Sequence, residues 1–282
     1  MANGIIYLLT GPAHGVRLVV SLWSLRRHYA GPVTLFTTQP ASHWIGERCA
    51  GDRRLGVEHR TFGDAAAGRN GDFLTKLAVL PHSPYRVTAH LDADTLVAGD
   101  VSALFELSES EPFCATQFAE WTTRKRILRR RLEPWRSVGR DEAERAILNG
   151  LVDAALERRP AVNGGVFAYR RGAEIVDRWR ELAETGRSTF ICDEIALQLI
   201  LTQYPHKLLD CRYNCSPVYG LRQEESRIWH FHGERHVRDA RCREIWLPAY
   251  RDCLGENVAR LAEWSPGGDR RLAAWQRDGG AE

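Results

Sequence analysis

The feature that most constrains this chain is a pair of aspartates at the end of a predicted strand. Residues 86–91 alternate polar and apolar side chains, which is the period of a strand packed on one face. The strand runs directly into Asp92 and Asp94, which are separated by a single alanine. Because aspartate is unfavourable in strands, we expect the strand to end there, at the edge where α/β sheets bind ligands.

Two carboxylates this close repel each other unless a cation lies between them. Carboxylate oxygens are hard ligands that suit Mg²⁺ or Mn²⁺, and such an ion usually keeps open positions for substrate phosphates. An Asp-x-Asp pattern is common by chance, so a capping aspartate beside a solvated one is an alternative. The pair Asp92 and Asp94 is therefore a candidate metal site, with that alternative left open.

The remaining elements alternate between strands and helices. Hydrophobic periodicity predicts further strands over residues 4–10, 33–36, 57–60, 113–116, 166–169 and 228–232. It predicts helices over residues 14–29, 42–49, 72–80, 101–107, 141–156, 174–183 and 193–202, with Asp72 as the cap of the third. Such alternation is typical of an α/β protein with a mostly parallel sheet and crossover connections. Because no repeat or linker interrupts the pattern, residues 1–282 are expected to form one domain.

Residues 119–160 differ in character from the rest of the chain. Within them, residues 121–136, here called the basic arm, carry seven basic side chains and one acidic side chain. We predict that 119–160 is a helical basic insertion or a lid, and that 239–282 is a tail of uncertain order. Cationic clusters with interleaved tryptophans also bind phosphate backbones, so a nucleic-acid-binding function is open, although a solvated helix face is commoner.

Composition limits the remaining classes of function. The formal net charge is only +3, and a content of 44% hydrophobic and 27% charged residues is that of a globular protein. The seven cysteines are an odd number without the spacing of a disulfide framework. The amino terminus lacks the pattern of a signal peptide, and no apolar run is long enough to span a membrane. We therefore expect a cytoplasmic protein with reduced thiols.

Five segments occur in an order and spacing that match one enzyme family from the first strand to about residue 236. They are Leu74–Leu77, His90–Val97, Val162–Phe167, Cys192–Glu194 and Trp229–Gly233. Together they resemble glycosyltransferases of the GT-A fold, and within that fold glycosyltransferase family 8, which includes glycogenin and bacterial galactosyltransferases. The resemblance implies a Rossmann-like, mostly parallel mixed sheet flanked by helices. The 119–160 segment and the chain after residue 240 have no counterpart in it.

In that family an Asp-x-Asp pair and a late histidine hold Mn²⁺, which binds the diphosphate of a UDP-sugar. The resemblance therefore implies that Asp92, Asp94 and His230 are ligands here of Mn²⁺ or Mg²⁺. Two carboxylates and one imidazole suit Mn²⁺ and leave positions for phosphate oxygens. His232 lies on the same face of the predicted strand and competes for the role. A buried structural histidine is the alternative for either.

The resemblance also implies contacts with the nucleotide sugar. Lys76 matches a lysine that contacts it, and residues 163–165 match an Asn-x-Gly turn whose glycines let the backbone approach the sugar. The implied donor-binding residues are Tyr7, Thr10, Lys76, Asp92, Ala93, Asp94, Asn163, Gly164, Gly165, Gly233, Arg235 and His236. A solvated lysine and an ordinary turn are the alternatives for the first two features.

The candidate catalytic residues are Asp193 and Glu194. Asp193 matches an aspartate that holds the sugar hydroxyls, and a helix cap is its alternative. Glu194 stands where the family usually has a glutamine close to the anomeric carbon. A carboxylate there can act as a nucleophile, a base or an electrostatic support. The stereochemical outcome is thus open, although the resemblance favours retention.

A second departure concerns the phosphate contacts. The family tends to end its histidine motif with Lys-Pro-Trp, whose lysine lies on the diphosphate. Here Gly233 is followed by Glu234-Arg235-His236. The contact would then come from Arg235, His236 or Arg238, and a guanidinium reaches a phosphate with a geometry different from that of an ammonium.

The leading prediction is a metal-dependent glycosyltransferase that moves a hexose from a UDP-sugar to an acceptor hydroxyl. The acceptor is unidentified, and the basic arm suits an anionic one, such as a phosphosugar, a lipid or a nucleic acid. One alternative is a nucleotidyltransferase, although its glycine-rich basic first loop is poorly matched by residues 10–15. The other is a nucleic-acid-binding protein that uses the basic arm.

Overall fold

The computed structural model describes residues 2–38, 42–68, 70–157, 160–219, 221–232 and 239–264. The strands are β1 (Gly4–Leu9), β2 (Val33–Thr37), β3 (Val57–Thr61), β4 (Val87–Leu91), β5 (Thr95–Val97), β6 (Phe113–Gln117), β7 (Val162–Arg170), β8 (Lys207–Leu209) and β9 (Ile228–His230). The α-helices are α1 (Gly15–Arg26), α2 (His43–Gly51), α3 (Gly71–Val79), α4 (Ala103–Ser110), α5 (Ala119–Thr123), α6 (Lys125–Leu132), α7 (Glu142–Glu157), α8 (Glu174–Thr185), α9 (Cys192–Ile200) and α10 (Ala240–Gly255).

The main sheet has the strand order β3-β2-β1-β4-β7-β6-β8. Strands β3, β2, β1 and β4 pair in parallel, as do β6 and β8, whereas β7 runs antiparallel to both β4 and β6. A second, two-stranded sheet pairs β5 with β9. The predicted α/β class with a mostly parallel mixed sheet is confirmed. Strands β5 and β8 were not predicted, because three residues are too few to show a period.

Strand β4 is buried on both faces, and the prediction of a single packed face was wrong. The strand lies between β1 and β7, so helices cover it on either side. Its polar residues have partners inside the protein: the Thr88 hydroxyl lies 2.6 Å from that of Ser83. The His90 ring stacks on Phe167, with 4.9 Å between the ring centres. Polar side chains on this strand therefore mark internal contacts and not a solvent face.

Asn163, Gly164 and Gly165 belong to a strand and not to the turn that the resemblance implied. Strand β7 starts at Val162, and its pairing with β6 is irregular: Ala115 lies opposite Phe167, but the next residue lies opposite Asn163. Residues 164–166 thus form a bulge, which bends a strand and re-aims its side chains. Glycine is common both in bulges and in turns, so the sequence alone does not distinguish the two.

The cap of α3 also differs from the prediction. The residue before the helix is Asn70, which has a left-handed backbone conformation with φ of 67°, whereas Asp72 is an exposed residue of the first turn. The Asn70 side chain donates hydrogen bonds to the carbonyls of Arg187 and Thr189, at 2.8 and 2.6 Å. The start of α3 is therefore tied to the loop that leads into α9.

Two apolar clusters fill the opposite sides of the sheet. One contains Val87, Ala89 and Leu91 of β4 with side chains of α1, α2 and α10, and the other contains Phe167 and Tyr169 of β7 with side chains of α3, α7, α8 and α9. In the 119–160 segment, α6 and α7 pack on this second cluster, which agrees with the predicted helical character. None of the helices in the described ranges has the length and apolarity that a membrane span requires.

Candidate active site

A cavity of about 570 Å³ opens at the carboxyl end of β4. That volume is typical of small-molecule sites. The structure brings most of the predicted site residues to its wall, although they are far apart in the chain. The predicted residues on the wall are Lys76, Asp92, Asp94, Asn163, Gly164, Gly165, Asp193, Glu194, His230 and His232.

Asp92, Asp94 and His230 form a compact group of oxygen and nitrogen donors. One donor atom from each can be chosen so that all lie within 4.8 Å of one another. The His230 Nε2 atom is 3.2 Å from Asp94 Oδ1 and 3.8 Å from Asp92 Oδ2. Antiparallel pairing of Thr95 with His230 brings the histidine to the acidic pair. This donor set fits Mn²⁺ or Mg²⁺ and leaves coordination positions open on the cavity side.

The tautomer of His230 follows from its neighbours. The amide nitrogen of Asn214 lies 2.8 Å from Thr116 Oγ1 and 3.0 Å from Asn163 Oδ1, both of which can accept its hydrogens. The amide oxygen of Asn214, 2.8 Å from His230 Nδ1, must then accept a hydrogen from that nitrogen. The proton of a neutral His230 is thereby fixed on Nδ1, and the lone pair of Nε2 points to the carboxylates.

Asp92 is held by positive and hydrogen-bonding groups as well as by its position. His90 Nε2 lies 2.9 Å from Asp92 Oδ1, and the ammonium of Lys76 lies 3.8 Å from the same oxygen. Burial opposes the ionisation of Asp92, but the charge of Lys76 and the bond from His90 outweigh it, so the pKa of Asp92 is lowered. The expected mutual repulsion of the two aspartates is therefore partly relieved by the protein itself.

Gly165 makes room for the His230 ring. A Cβ atom added at Gly165 would overlap the imidazole, whereas one added at Gly164 would meet Asp193 and Lys76 at 3.6 Å, an ordinary contact. A residue larger than glycine at position 165 would thus displace the histidine. The need for glycine at this position comes from the histidine ring, independently of any ligand.

Lys76 is buried and paired with Asp193. Its ammonium lies 2.6 Å from Asp193 Oδ2 and 3.2 Å from the carbonyl of Gly164. Only 6% of Lys76 and 2% of Asp193 are exposed. Burial by itself would lower the pKa of Lys76, but the charges of Asp193 and Asp92 raise it above its usual value. The lysine is thus a fixed positive charge in the cavity wall, in contrast to the solvated alternative.

Glu194 is a buried carboxyl group next to the acidic cluster. Its side chain accepts a short hydrogen bond from the Asn163 amide, and 7% of the residue is exposed. Burial, together with the charge of Asp193, raises the pKa of Glu194 to about 8. At neutral pH this residue is mostly an uncharged acid, whose shape and polarity resemble those of glutamine.

Comparison with known proteins assigns the chain to a family. The sequence profile of the Rhodobacterales glycosyltransferase domain matches residues 12–201. This range contains the acidic pair, the buried lysine and both candidate catalytic residues. The chain belongs to the Rhodobacterales glycosyltransferase domain family. No curated protein sequence is significantly similar to it.

Solved structures of glycosyltransferases share the fold of this glycosyltransferase domain. The apo bifunctional glycosyltransferase WbbM superposes with a TM-score of 0.62 and 10% identity over 92% of this chain and 51% of WbbM. GlyE of Streptococcus pneumoniae TIGR4 superposes with a TM-score of 0.59 and 15% identity, over 94% of this chain and 65% of GlyE. The galactosyltransferase LgtC, solved with donor and acceptor sugar analogues, superposes with a TM-score of 0.57 and 12% identity, over 90% of this chain and 95% of LgtC.

These neighbours confirm the GT-A fold that the sequence motifs implied. At such low identities the likeness concerns the fold. The chain spans about half of WbbM and 65% of GlyE. Membership of a glycosyltransferase family favours that class of enzyme over the nucleotidyltransferase and nucleic-acid-binding alternatives.

Several predicted donor contacts lie away from the cavity or outside the described residues. Tyr7 is fully buried, and its hydroxyl lies 3.0 Å from that of Ser21, so it faces the protein interior. Thr10 is partly buried, and Ala93 packs on the core between the two aspartates; neither is among the residues that line the cavity. The predicted positions Gly233, Arg235 and His236, together with Arg238, lie outside the described residues.

The loop before α9 is strained where it enters the site. Ile191 has φ of 51°, a left-handed conformation that is costly for a β-branched residue. Asp193 and Glu194, two and three residues further on, reach the cavity from the first turn of α9. The partial positive charge of a helix start favours a carboxylate there. Strain of about 1–3 kcal/mol concentrates at functional sites when the surrounding structure imposes it.

Part of the cavity wall is built by residues that the sequence did not identify individually as site residues. It is lined by Phe118, Trp121, Ile127, Arg130, Arg131, Phe190 and Tyr219. Asn214 and His90, which hold two metal-ligand candidates, were missed as well. The basic arm was predicted to suit an anionic acceptor, but its local sequence does not show which of its residues face the cavity.

Proposed function

We propose that this glycosyltransferase domain transfers a hexose from a UDP-sugar to an acceptor hydroxyl in a reaction that requires Mn²⁺ or Mg²⁺. The observation that carries the proposal is the donor set of Asp92, Asp94 and His230, in the wall of a cavity of about 570 Å³. The hydrogen bond that His230 Nδ1 donates to Asn214 supports a metal-ligating role for His230, because it keeps the proton on Nδ1 and leaves the lone pair of Nε2 for a metal. His232, whose ring packs edge-on against Phe118 and His230, lies outside this donor set.

A divalent ion held by these ligands would neutralise the charge that develops on the UDP leaving group. The chain's own residues would do the remaining work. His90 and Lys76 hold Asp92 in place, so that its second oxygen, Oδ2, faces His230. The fixed charge of Lys76 also lies where it can attract a phosphate oxygen of the donor.

We propose that Asp193 and Glu194 position the donor sugar. Asp193 pairs with Lys76 through one oxygen, and its Oδ1 is buried without a hydrogen-bond partner among the described residues. A buried unpaired carboxylate oxygen is an acceptor waiting for a donor such as a sugar hydroxyl. Glu194, uncharged at neutral pH, suits a positioning role better than that of a nucleophile. We propose retention of the anomeric configuration, in line with the family that the motifs resemble.

The acceptor would enter from the side that residues 118–131 form. Aromatic side chains such as Trp121 and Tyr219 lie there, and aromatic surfaces commonly pack against the apolar faces of ligands. We further propose that the chain forms one domain with the 119–160 segment as its acceptor side. The seven cysteines are all free and buried, which supports the expected cytoplasmic, reducing location.

A panel of nucleotide sugars tests the proposal through thermal unfolding with and without Mn²⁺. The true donor should raise the unfolding temperature only when Mn²⁺ is present, since a ligand at a hundredfold excess over its dissociation constant stabilises by about 2.7 kcal/mol. Asp94→Asn is the control that should lose this stabilisation. A stabilisation that is equal with EDTA, or that survives in Asp94→Asn, would contradict metal-dependent donor binding.

A further inference from the structure

Two arginines of α6, together with the apolar Ile127 of the same helix, line the cavity. Leu128 and Leu132 are buried and anchor α6 to the protein. Arg130 and Arg131 line the cavity, whereas Arg129 is exposed and is not part of its wall. The basic arm is therefore not a uniform charged face, because two of its basic side chains line the proposed site.

The guanidinium of Arg131 stacks on an aromatic ring and makes no ion pair with an acidic side chain of the described residues. Its guanidinium carbon lies 3.8 Å from the centre of the Phe190 ring. Its Nε atom is buried and has no hydrogen-bond partner in the described part of the chain. Burial lowers the pKa of Arg131. Arg131 is partly exposed as a whole, but a buried N–H donor without an acceptor is unfavourable until a ligand accepts from it.

A neighbouring arginine, in contrast to Arg130 and Arg131, is paired with acidic side chains. Arg136 lies five residues further along and donates to Glu133 at 2.8 Å and to Asp153 at 2.6 Å. No carboxylate of the described residues lies within ion-pair distance of Arg130 or Arg131. Arg131 and Glu194 line the same cavity.

The charged groups of the cavity wall leave these two arginines without an ion pair among the described residues. Asp92 and Asp94 would balance a bound dication, and Lys76 balances Asp193. Glu120, a partly buried residue of the same wall, is 3.9 Å from Arg124, and Glu194 is mostly uncharged at neutral pH. Once the metal is bound, the net formal charge of the described wall is thus positive. The positive charges that remain without an ion pair are those of Arg130 and Arg131.

We infer that Arg130 and Arg131 form a subsite for an anionic oxygen group, of the phosphate class, carried by a ligand bound in this cavity. A planar guanidinium presents paired donors that match phosphate oxygens. The inference rests on the proposed function for the identity of the ligand. The anion is either the diphosphate of the donor or an anionic group on the acceptor, and both would meet the same two side chains.

The test uses the full chain with Mn²⁺ and compares wild type with Arg131→Gln, Arg130→Gln and the matched control Arg129→Gln. Calorimetry first gives the dissociation constant of UDP. It then gives that of sulfate, a phosphate-shaped anion that does not precipitate Mn²⁺, for the enzyme saturated with UDP. Losing a charge-assisted hydrogen bond should weaken the affected ligand about tenfold or more. Arg129→Gln should stay within about twofold of wild type, as exposed substitutions do.

Weaker UDP binding in Arg131→Gln would identify the donor diphosphate as the anion. Unchanged UDP binding with loss of sulfate binding would identify an anionic acceptor group. Because Arg130 is exposed, Arg130→Gln keeps the test informative if Arg131→Gln fails to fold. Cavity-facing variants that match Arg129→Gln in both titrations would overturn the subsite. If wild type binds no UDP, the nucleotide proposal fails, and sulfate titration of the nucleotide-free protein still tests the subsite.

Discussion

The amide oxygen of Asn214 accepts a hydrogen from His230 Nδ1 at 2.8 Å, and this single contact sets which ring nitrogen faces the acidic pair. The amide cannot turn over without cost, because its nitrogen donates to Thr116 and Asn163. Asn163 in turn donates to Glu194. A chain of amides therefore links the third metal-ligand candidate to the carboxyl group at the proposed transfer point.

We expect Asn214→Leu to weaken Mn²⁺ binding by about tenfold or more, because loss of an outer partner of a ligating histidine costs 10–100-fold in metal affinity. The free Mn²⁺ signal in electron paramagnetic resonance measures this without any turnover. Asn3→Leu, which removes an amide bonded to Glu109 at the surface, is the matched control. An unchanged Mn²⁺ affinity in a folded Asn214→Leu protein would exclude the positioning role.

Asp92→Asn and Asp94→Asn should both abolish Mn²⁺ binding, but Asp92→Asn should also destabilise the metal-free protein. The pKa of Asp92 is lowered from 3.8 in the folded state, so its charge contributes stability above that pH, which is lost as the pH falls through the folded-state pKa. Urea unfolding in EDTA at pH 7 and at pH 3 measures the difference from wild type. If Asp92→Asn lost as much unfolding free energy relative to wild type at pH 3 as at pH 7, the loss could not come from the charge of Asp92.

Glu194→Gln should keep activity within about tenfold, or roughly 1.4 kcal/mol of barrier, because an uncharged acid and an amide are near isosteres. A carboxylate that acts as nucleophile or base cannot be replaced by an amide, and its loss should cost about a hundredfold or more. Turnover at saturating donor distinguishes the two cases. A loss beyond a hundredfold with unchanged donor binding would refute the positioning role.

The same variant should change how stability depends on pH. Since the folded-state pKa of Glu194 is raised from 4.5 to about 8, its stability contribution is complete at low pH and is lost as the pH rises between these values. Glu194→Gln cannot ionise, so its stability relative to wild type should increase from pH 5 to pH 9 in EDTA. A relative stability that stays constant over this range would show that Glu194 is not buried as a neutral acid.

Lys76→Met should destabilise the protein by about 3–5 kcal/mol, because it leaves the buried Asp193 carboxylate without its partner. The double variant Lys76→Met with Asp193→Asn should recover part of this loss, since no unpaired charge remains. Equilibrium urea unfolding measures both. Equal destabilisation in the single and the double variant would mean that packing, and not the ion pair, explains the effect.

The sequence predicted the metal-ligand candidates better than the contacts that assemble them. Asp92 and Asp94 follow a strand with a clear period, and His230 lies in a recognisable motif. Their meeting depends on the pairing of β5 with β9, two strands of three residues each. Such short strands have no period of their own and form only when the rest of the fold holds them.

Asn214 had no local signal at all. It lies in an irregular segment, and its role arises from contacts with residues 116, 163 and 230, which only the folded chain brings together. The ionisation state of Glu194 is likewise a property of burial and of its neighbours. Residue identity could predict a carboxyl group at the site, but not that it would be mostly uncharged at neutral pH.

The most direct test of metal-dependent glycosyl transfer measures UDP released from UDP-hexoses by the purified chain, with Mn²⁺ and after removal of metal by EDTA. We expect one UDP-hexose to be turned over with Mn²⁺, slowly with water when no acceptor is supplied, and not at all in EDTA or in Asp94→Asn. UDP release that is unaffected by EDTA and by Asp94→Asn, or no release from any UDP-hexose by folded, Mn²⁺-loaded protein, would contradict the proposed function.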